Sequence, residues 1–364
     1  MTSLFDPIDL RGLRVRNRIW VSPMCEYSVV ERDGVPIDWH LVHLGSFARG
    51  GAGLVIAEAT GVVPEGRISA HDTGIWNDDQ TAAWRRIVDF IHSQGAAAGI
   101  QLAHAGRKAS AWPEWGFGGK TGTMPIEEGG WQTVSASDLA FHDYDPPRAL
   151  ETAELPGLVE AFRAAARRSV DAGFDLLEVH AAHGYLIHQF LSPLSNTRTD
   201  AYGGSLENRA RLLLEIVAAV RAEVGEQVPI LVRFSATDYA EGGWDEHQTA
   251  TVAGWARDAG TDLFDISSGG LITGVKIPSG PGYQVPLAES VSGEAGVPVA
   301  SVGRITEAQQ AAEIVASGRV DAVMIGREMM RDPHFALRAA TELGVDVDYW
   351  PPQYRRARPT PHSA

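Results

Sequence analysis

His180 and His183 stand three residues apart at the end of the apolar run Leu176–His180, and Tyr185 follows two residues later. Imidazoles placed this way can donate hydrogen bonds to an oxygen that gains negative charge, or they can bind a metal. A tyrosine, with an ordinary pKa of about 10, is a feasible proton donor to a developing carbanion; it is equally an aromatic to pack under a loop. Cys25 closes Ser22-Pro23-Met24-Cys25 after another apolar run. It is either an inert small hydrophobe or a thiol lying against a redox ring, and it lacks the setting that lowers the pKa of a nucleophilic cysteine. Arg233, if buried, needs an anionic or electron-rich partner. Gln101 can donate and accept toward a planar heterocycle. Ser301, Gly303 and Gly326 are small, and Arg304 and Arg327 follow the two glycines. Glycines let backbone amides approach a ligand closely and an arginine adds a charge-assisted bond, so this region indicates a phosphorylated cofactor or substrate.

These residues need a scaffold that brings them together. Eight short apolar, β-branched runs recur along the chain, at 19–22, 54–59, 98–102, 176–180, 230–234, 263–267, 297–302 and 322–326. Helix-like segments separate them, at roughly 39–50, 79–94, 155–172, 207–224, 246–259, 286–295, 306–317 and 333–343. Gly173 and Gly260 stand where helices should end. Continuous apolar runs mean strands buried on both faces, hence a parallel sheet covered by helices. Eight such units predict an α/β fold, a closed (β/α)8 TIM barrel, in preference to a doubly wound open sheet. In such a barrel chemistry gathers at the carboxyl ends of the strands, where all the residues above would lie, with Ser267 and Gly270 after the sixth strand. Carboxylates are scarce at these ends and no His-x-His follows the first run, so no metal is expected. A metal-dependent hydrolase and a non-enzymatic barrel that merely holds a phosphorylated ligand are the rival readings.

The division predicted is one barrel domain over 1–356, with 103–154 as a lid excursion after the third strand and 357–364 as a disordered tail. The tail from Tyr349 onward is expected to be non-helical. The chain has 364 residues, 44% hydrophobic and 21% charged, with a net charge of −15, which argues against a general nucleic-acid binder. One cysteine excludes an internal disulfide framework. No long apolar span and no signal-peptide core are expected, so the expected location is the cytoplasm, with no membrane partner.

Several blocks resemble the flavin-dependent old yellow enzymes, the ene-reductases, and their bacterial thermophilic-like branch above all. They are Ser-Pro-Met-Cys-Glu-Tyr at 22–27, Gly-Ile-Gln-Leu-Ala-His-Ala-Gly-Arg-Lys at 99–108, Asp-Leu-Leu-Glu-Val-His-Ala-Ala-His-Gly-Tyr-Leu at 175–186, the block 190–209, and Ile-Gly-Arg-Glu at 325–328. The resemblance implies noncovalent FMN, with NADPH or NADH as hydride donor. Ser22, Pro23, Met24, Cys25, Ala59, Gln101, His180, Arg233, Ser267 and Gly270 would hold the ring and ribityl chain, and Gly303, Arg304, Gly326 and Arg327 the phosphate. Arg304 stands where a relative would have an uncharged residue. His180 and His183 would bind the carbonyl oxygen of an α,β-unsaturated substrate, such as an enone, enal or maleimide, or a nitro compound. Hydride would reach the alkene through flavin N5 in a ping-pong sequence, and Tyr185 would supply the proton. Cys25 would modulate the flavin, while Tyr27 and Lys108 would line the substrate pocket. The resemblance also implies a homodimer or homotetramer in which Arg356 reaches a neighbouring subunit's site.

Overall fold

The computed structural model describes residues 2–359. The chain runs β1 (Ile8–Leu10), β2 (Leu13–Val15), β3 (Ile19–Val21), α1 (Asp38–Arg49), β4 (Leu54–Gly61), α2 (Asp78–Ser93), β5 (Ala97–Ala103), β6 (Val134–Ser135), β7 (Arg148–Ala149), α3 (Leu155–Asp171), β8 (Leu176–Ala181) and α4 (Leu186–Leu191). It continues through α5 (Leu206–Val224), β9 (Ile230–Ser235), α6 (Glu246–Ala259), β10 (Leu263–Ser267), α7 (Val285–Ala295), β11 (Val299–Ser301), α8 (Ala308–Ala316), β12 (Ala322–Ile325), α9 (Arg327–Arg331) and α10 (Phe335–Glu342). The strands β3-β4-β5-β8-β9-β10-β11-β12 pair in parallel and close on themselves, β12 registering Val323 against Ile19 of β3. This is the expected (β/α)8 barrel.

Local chemistry explains the elements. β4, β8, β9 and β10 are buried at every position, as strands covered on both faces must be. Asn77 caps α2 by accepting from the Gln80 amide at 2.9 Å, and Asp245 caps α6 by accepting from the Gln248 amide at 2.9 Å. Gly260 ends α6 with φ of 124°, a conformation open to glycine at little cost. Inside the barrel Trp20, Leu54, Ile56, Leu176, Leu231, Leu263 and Met324 form one cluster with Leu10 and Val15 of the antiparallel β1/β2 hairpin. That hairpin covers the end of the barrel opposite the polar strand ends.

Some sequence expectations need correction. The seventh run shrinks to Val299–Ser301, because Pro298 has no amide to give to a ladder. The hairpin, α4, α9 and the two-residue ladder of β6 with β7 were not anticipated; each is too short to show a period. In the tail, Pro352–Ala357 forms 3-10 turns rather than non-helical chain. Of the stretch expected to be disordered, residues 360–364 lie outside the described residues. Among the described residues no helix is long and apolar enough to cross a membrane.

Candidate active site

The turn after β8 sets the geometry. His183 has φ of 58° and Gly184 72°, two left-handed residues in succession. A Cβ at Gly184 would meet the Gly270 carbonyl oxygen at 2.4 Å, so only glycine fits. The strained His183 backbone is held from several sides. Its amide donates to Ser235 Oγ at 2.9 Å, and Lys108 Nζ donates to the His183 and Gly270 carbonyls at 2.8 and 3.0 Å. The Gly184 amide donates to His188 Nδ1 at 3.0 Å, and His188 Nε2 lies 3.0 Å from Asp238 Oδ1 in a fully buried pair. The result brings three rings together. The His180 centroid lies 5.3 Å from that of His183 and 5.0 Å from that of Tyr185, both edge-on. The Ala182 amide donates to His180 Nδ1 at 3.3 Å, which leaves the His180 proton on Nε2.

Burial, then the charge of Arg233, holds both imidazoles well below the ordinary histidine value. Burial, with Cys25 and Asp72 nearby, pushes the Tyr185 hydroxyl well up, so it keeps its proton. Burial, with Asp72 and Glu58, also pushes Cys25 up, which keeps it a thiol. The neutral histidines have a consequence for stability. Below an ordinary value of about 6.5 the unfolded chain binds protons that the folded chain refuses, so stability falls as pH drops through that region. Urea midpoints should decline on acidification below about pH 6.5. The decline should be shallower in the His180→Ala/His183→Ala double variant; an unchanged slope there would assign it to other groups.

Beside the three rings opens a cavity of about 640 Å3. Ser22, Pro23 and Met24 line one side, Gly303, Arg304, Gly326 and Arg327 another, and Arg233 and Ser267 its inner wall. Arg233 donates to Ser22 Oγ at 3.1 Å and pairs through Nε with Asp265 Oδ2 at 2.8 Å. Gly303 has φ of 128°, and a Cβ there would press on Gln284 Nε2 at 3.0 Å and the Tyr283 ring at 3.1 Å. Arg304 adopts φ of 50° and spends its guanidinium on the Ser279 carbonyl. Arg327 is exposed at the cavity and makes no hydrogen bond or ion pair among the described residues. Ser267 joins the two halves of the site, lining the cavity while its Oγ lies 2.8 Å from His183 Nε2.

The other expected residues surround this centre. Cys25, Tyr27 and Tyr185 pack with Ala59, Trp131 and Tyr144 in one small cluster. Tyr27, also left-handed at φ 48°, meets the Trp115 ring edge-on at 5.0 Å. Trp115, Trp131 and Tyr144 all come from the long excursion, so that segment covers the mouth. Gly270 backs the His183 turn rather than lining the cavity. Arg356 is exposed and lines no part of the cavity.

Sequence reasoning missed four contributors. Glu178 and Asp265 lie within β8 and β10, short of the strand ends where few carboxylates were expected, and both are fully buried in the barrel. The signal was present, since each stands two residues before a site residue on its strand and so points the same way. Asp238 and Gln284 carried no such signal. Gln284 donates to the Val302 carbonyl at 2.8 Å and accepts from Ser267 Oγ at 3.3 Å.

A closed parallel barrel whose mouth carries a cavity lined by glycines and arginines, beside two neutral histidines and a tyrosine, has the architecture of a cofactor-using barrel enzyme. The chain belongs to the NADH:flavin oxidoreductase / NADH oxidase family, which it matches over residues 3–345. It is 46% identical over 358 residues to an NADPH dehydrogenase of Listeria monocytogenes serotype 4b, covering 98% of this chain and 99% of that one. Morphinone reductase superposes with a TM-score of 0.77 at 31% identity, over 96% of this chain and 92% of that one. An old yellow enzyme homologue from Zymomonas mobilis gives a TM-score of 0.77 at 28% identity, over 99% of this chain and 100% of that one. The protein is an NAD(P)H-dependent flavin oxidoreductase of the old yellow enzyme type with FMN as its cofactor.

Proposed function

We propose that this chain reduces the activated C=C bond of α,β-unsaturated carbonyl compounds, enones, enals and maleimides, and nitro compounds among them, with NADPH or NADH as reductant. The observation that carries the reading is the juxtaposition of three rings beside the cavity, those of His183 and Tyr185 lying 5.3 and 5.0 Å from that of His180. The cavity's volume falls in the range of about 300–1,000 Å3 usual for ligand and cofactor sites. Its residues suit FMN: Arg327 has a guanidinium with no partner among the described residues, Gly303 and Gly326 keep the backbone bare, and Arg233 offers polar atoms to a heterocycle, with Gln101 buried nearby in the barrel. Bound FMN supplies the two-electron hydride chemistry that side chains lack.

The chain's own residues supply the rest. His180 offers its Nε2–H, and His183 the second donor, to a substrate carbonyl oxygen as it gains charge. Both are neutral, so they bind the oxygen without a fixed opposing charge and count most in the transition state. Tyr185 keeps its phenolic proton until the α-carbon needs it. Lys108 holds the turn that carries His183, and Tyr27 with Trp115 walls the substrate off from water. The thiol of Cys25 touches the same space and tunes the flavin. The exposed Arg355 and Arg356 support a dimer or tetramer in which Arg356 enters a second copy's site, and the single cysteine suits the cytoplasm.

The test is an anaerobic cycle. NADPH or NADH should bleach the flavin absorption of the holoprotein, and cyclohexenone or N-ethylmaleimide should restore it with formation of the saturated product. A flavin that bleaches but is reoxidised only by oxygen would remove the alkene reading and leave the flavin oxidoreductase standing.

A further inference from the structure

Inside the barrel, next to the cavity, lies a group of charges whose two carboxylates the chemistry above leaves unused. Glu178 on β8, Arg233 on β9 and Asp265 on β10 are all buried. Strand pairing fixes their arrangement: Arg233 is registered beside Asp265, and Glu178 beside Gln101 of β5. Asp265 Oδ2 lies 2.8 Å from Arg233 Nε, and Gln101 Nε2 donates to Glu178 Oε2 at 2.6 Å. Glu178 Oε1 and Asp265 Oδ1 have no hydrogen-bond partner among the described residues. The groups that face Glu178 are thus the neutral amide of Gln101 from β5, the guanidinium of Arg233 from β9 and the carboxylate of Asp265 from β10, with His180, neutral, next on its own face of β8.

Two carboxylates here share one guanidinium. If both were ionised, a surplus negative charge would sit in a dry interior, which is strongly unfavourable. Burial, and the charge of Asp265, accordingly push Glu178 well above the ordinary carboxylate range. One proton shared by the two relieves that surplus. That proton rests on a group bonded to Gln101, while Asp265 competes for Arg233, and these are the two side chains assigned above to the flavin ring. FMN held against Gln101 and Arg233 would take a hydride from the nicotinamide, which would leave oxidised, and would bring one added negative charge to these two side chains.

We propose that Glu178 is a positioning and charge-compensating residue for the cofactor: the Glu178–Asp265 pair carries one proton, and in alkaline solution, where the oxidised protein has lost it, reduction of the bound flavin draws one proton from solvent back onto Glu178. The added charge on the ring repels an ionised Glu178 through Arg233 and Gln101; protonation of the Glu178 carboxylate removes that repulsion and leaves Asp265 as the only counter-charge to Arg233. The inference rests on the placement of the flavin against Gln101 and Arg233.

The test is the midpoint potential of the flavin in the holoprotein, measured spectroelectrochemically from pH 6 to 9.5. The slope against pH should correspond to one proton per two electrons at the acid end and double in an alkaline window. In Glu178→Gln the doubling should vanish; in Asp265→Asn the window should move to lower pH. A pH-indicator dye in weakly buffered wild-type protein gives a matching count without any variant: with NADPH as reductant, whose hydride brings the ring its hydrogen, no proton is taken up per flavin reduced at the acid end and one in the window. A one-proton slope throughout in wild type, or a doubling that survives in Glu178→Gln, overturns the inference and leaves the alkene chemistry untouched. Protein that takes up no FMN would overturn the cofactor placement and this inference with it.

Discussion

Replacing Tyr185 with phenylalanine is expected to slow alkene reduction by about 10²–10⁴-fold, the range usual for loss of a positioned general acid, while NADPH still reduces the flavin at nearly the wild-type rate. The substitution removes one hydroxyl and leaves the ring, which packs edge-on against His180 at 5.0 Å and lies 5.1 Å below Lys108 Nζ. The turn carrying His183 is held by Lys108, Ser235 and the His188–Asp238 pair, none of which is hydrogen-bonded to that hydroxyl, so His183 stays in place. Burial keeps the wild-type phenol protonated well into alkaline solution, so the rate of the alkene half-reaction should show no alkaline fall near the ordinary tyrosine value. Separate stopped-flow measurement of the two half-reactions checks the assignment. Equal losses in both would take Tyr185 out of the proton-donor role.

The second large effect belongs to the histidines. His183→Ala is expected to cost about 10²–10³-fold in alkene reduction, as loss of one donor to a developing oxyanion does. FMN should stay bound, because His183 reaches the cavity only through Ser267. His180→Ala should cost at least as much and should also weaken FMN binding, since His180 is registered beside Arg233 at the inner wall. If both donors serve one oxygen as proposed, the effects of the pair should be far from additive. Flavin fluorescence on titration gives the affinity, and the half-reaction rates give the chemistry. Full alkene reduction by His183→Ala would show that the carbonyl oxygen is held elsewhere.

How much of this was legible before the fold was known depends on the length scale of each interaction. The eight barrel strands could be read as apolar runs because a strand covered on both faces must be apolar along its length. The caps of α2 and α6 and the glycines closing α3 and α6 could be read because capping involves residues three or four apart. Glu178 and Asp265 were readable in part, from their parity with His180 and Ser267, yet a carboxylate inside an apolar run reads more easily as an interruption than as a member of a site. Asp238 and Gln284 act across 50 and 17 residues of sequence to reach His188 and Ser267, and no local pattern marks such partners.

Local pattern was enough to specify the barrel, the ends of its strands and therefore the residues that had to face one another, because hydrophobic periodicity and turn chemistry are properties of neighbours along the chain. Folding in three dimensions was needed to show that Ser267 couples His183 to the cavity, that three excursion aromatics pack over Cys25, Tyr27 and Tyr185, and that two buried carboxylates lie beside the one guanidinium of Arg233. Those are distances between side chains on different strands and loops, set when closure of the barrel fixes the register of each strand against the next.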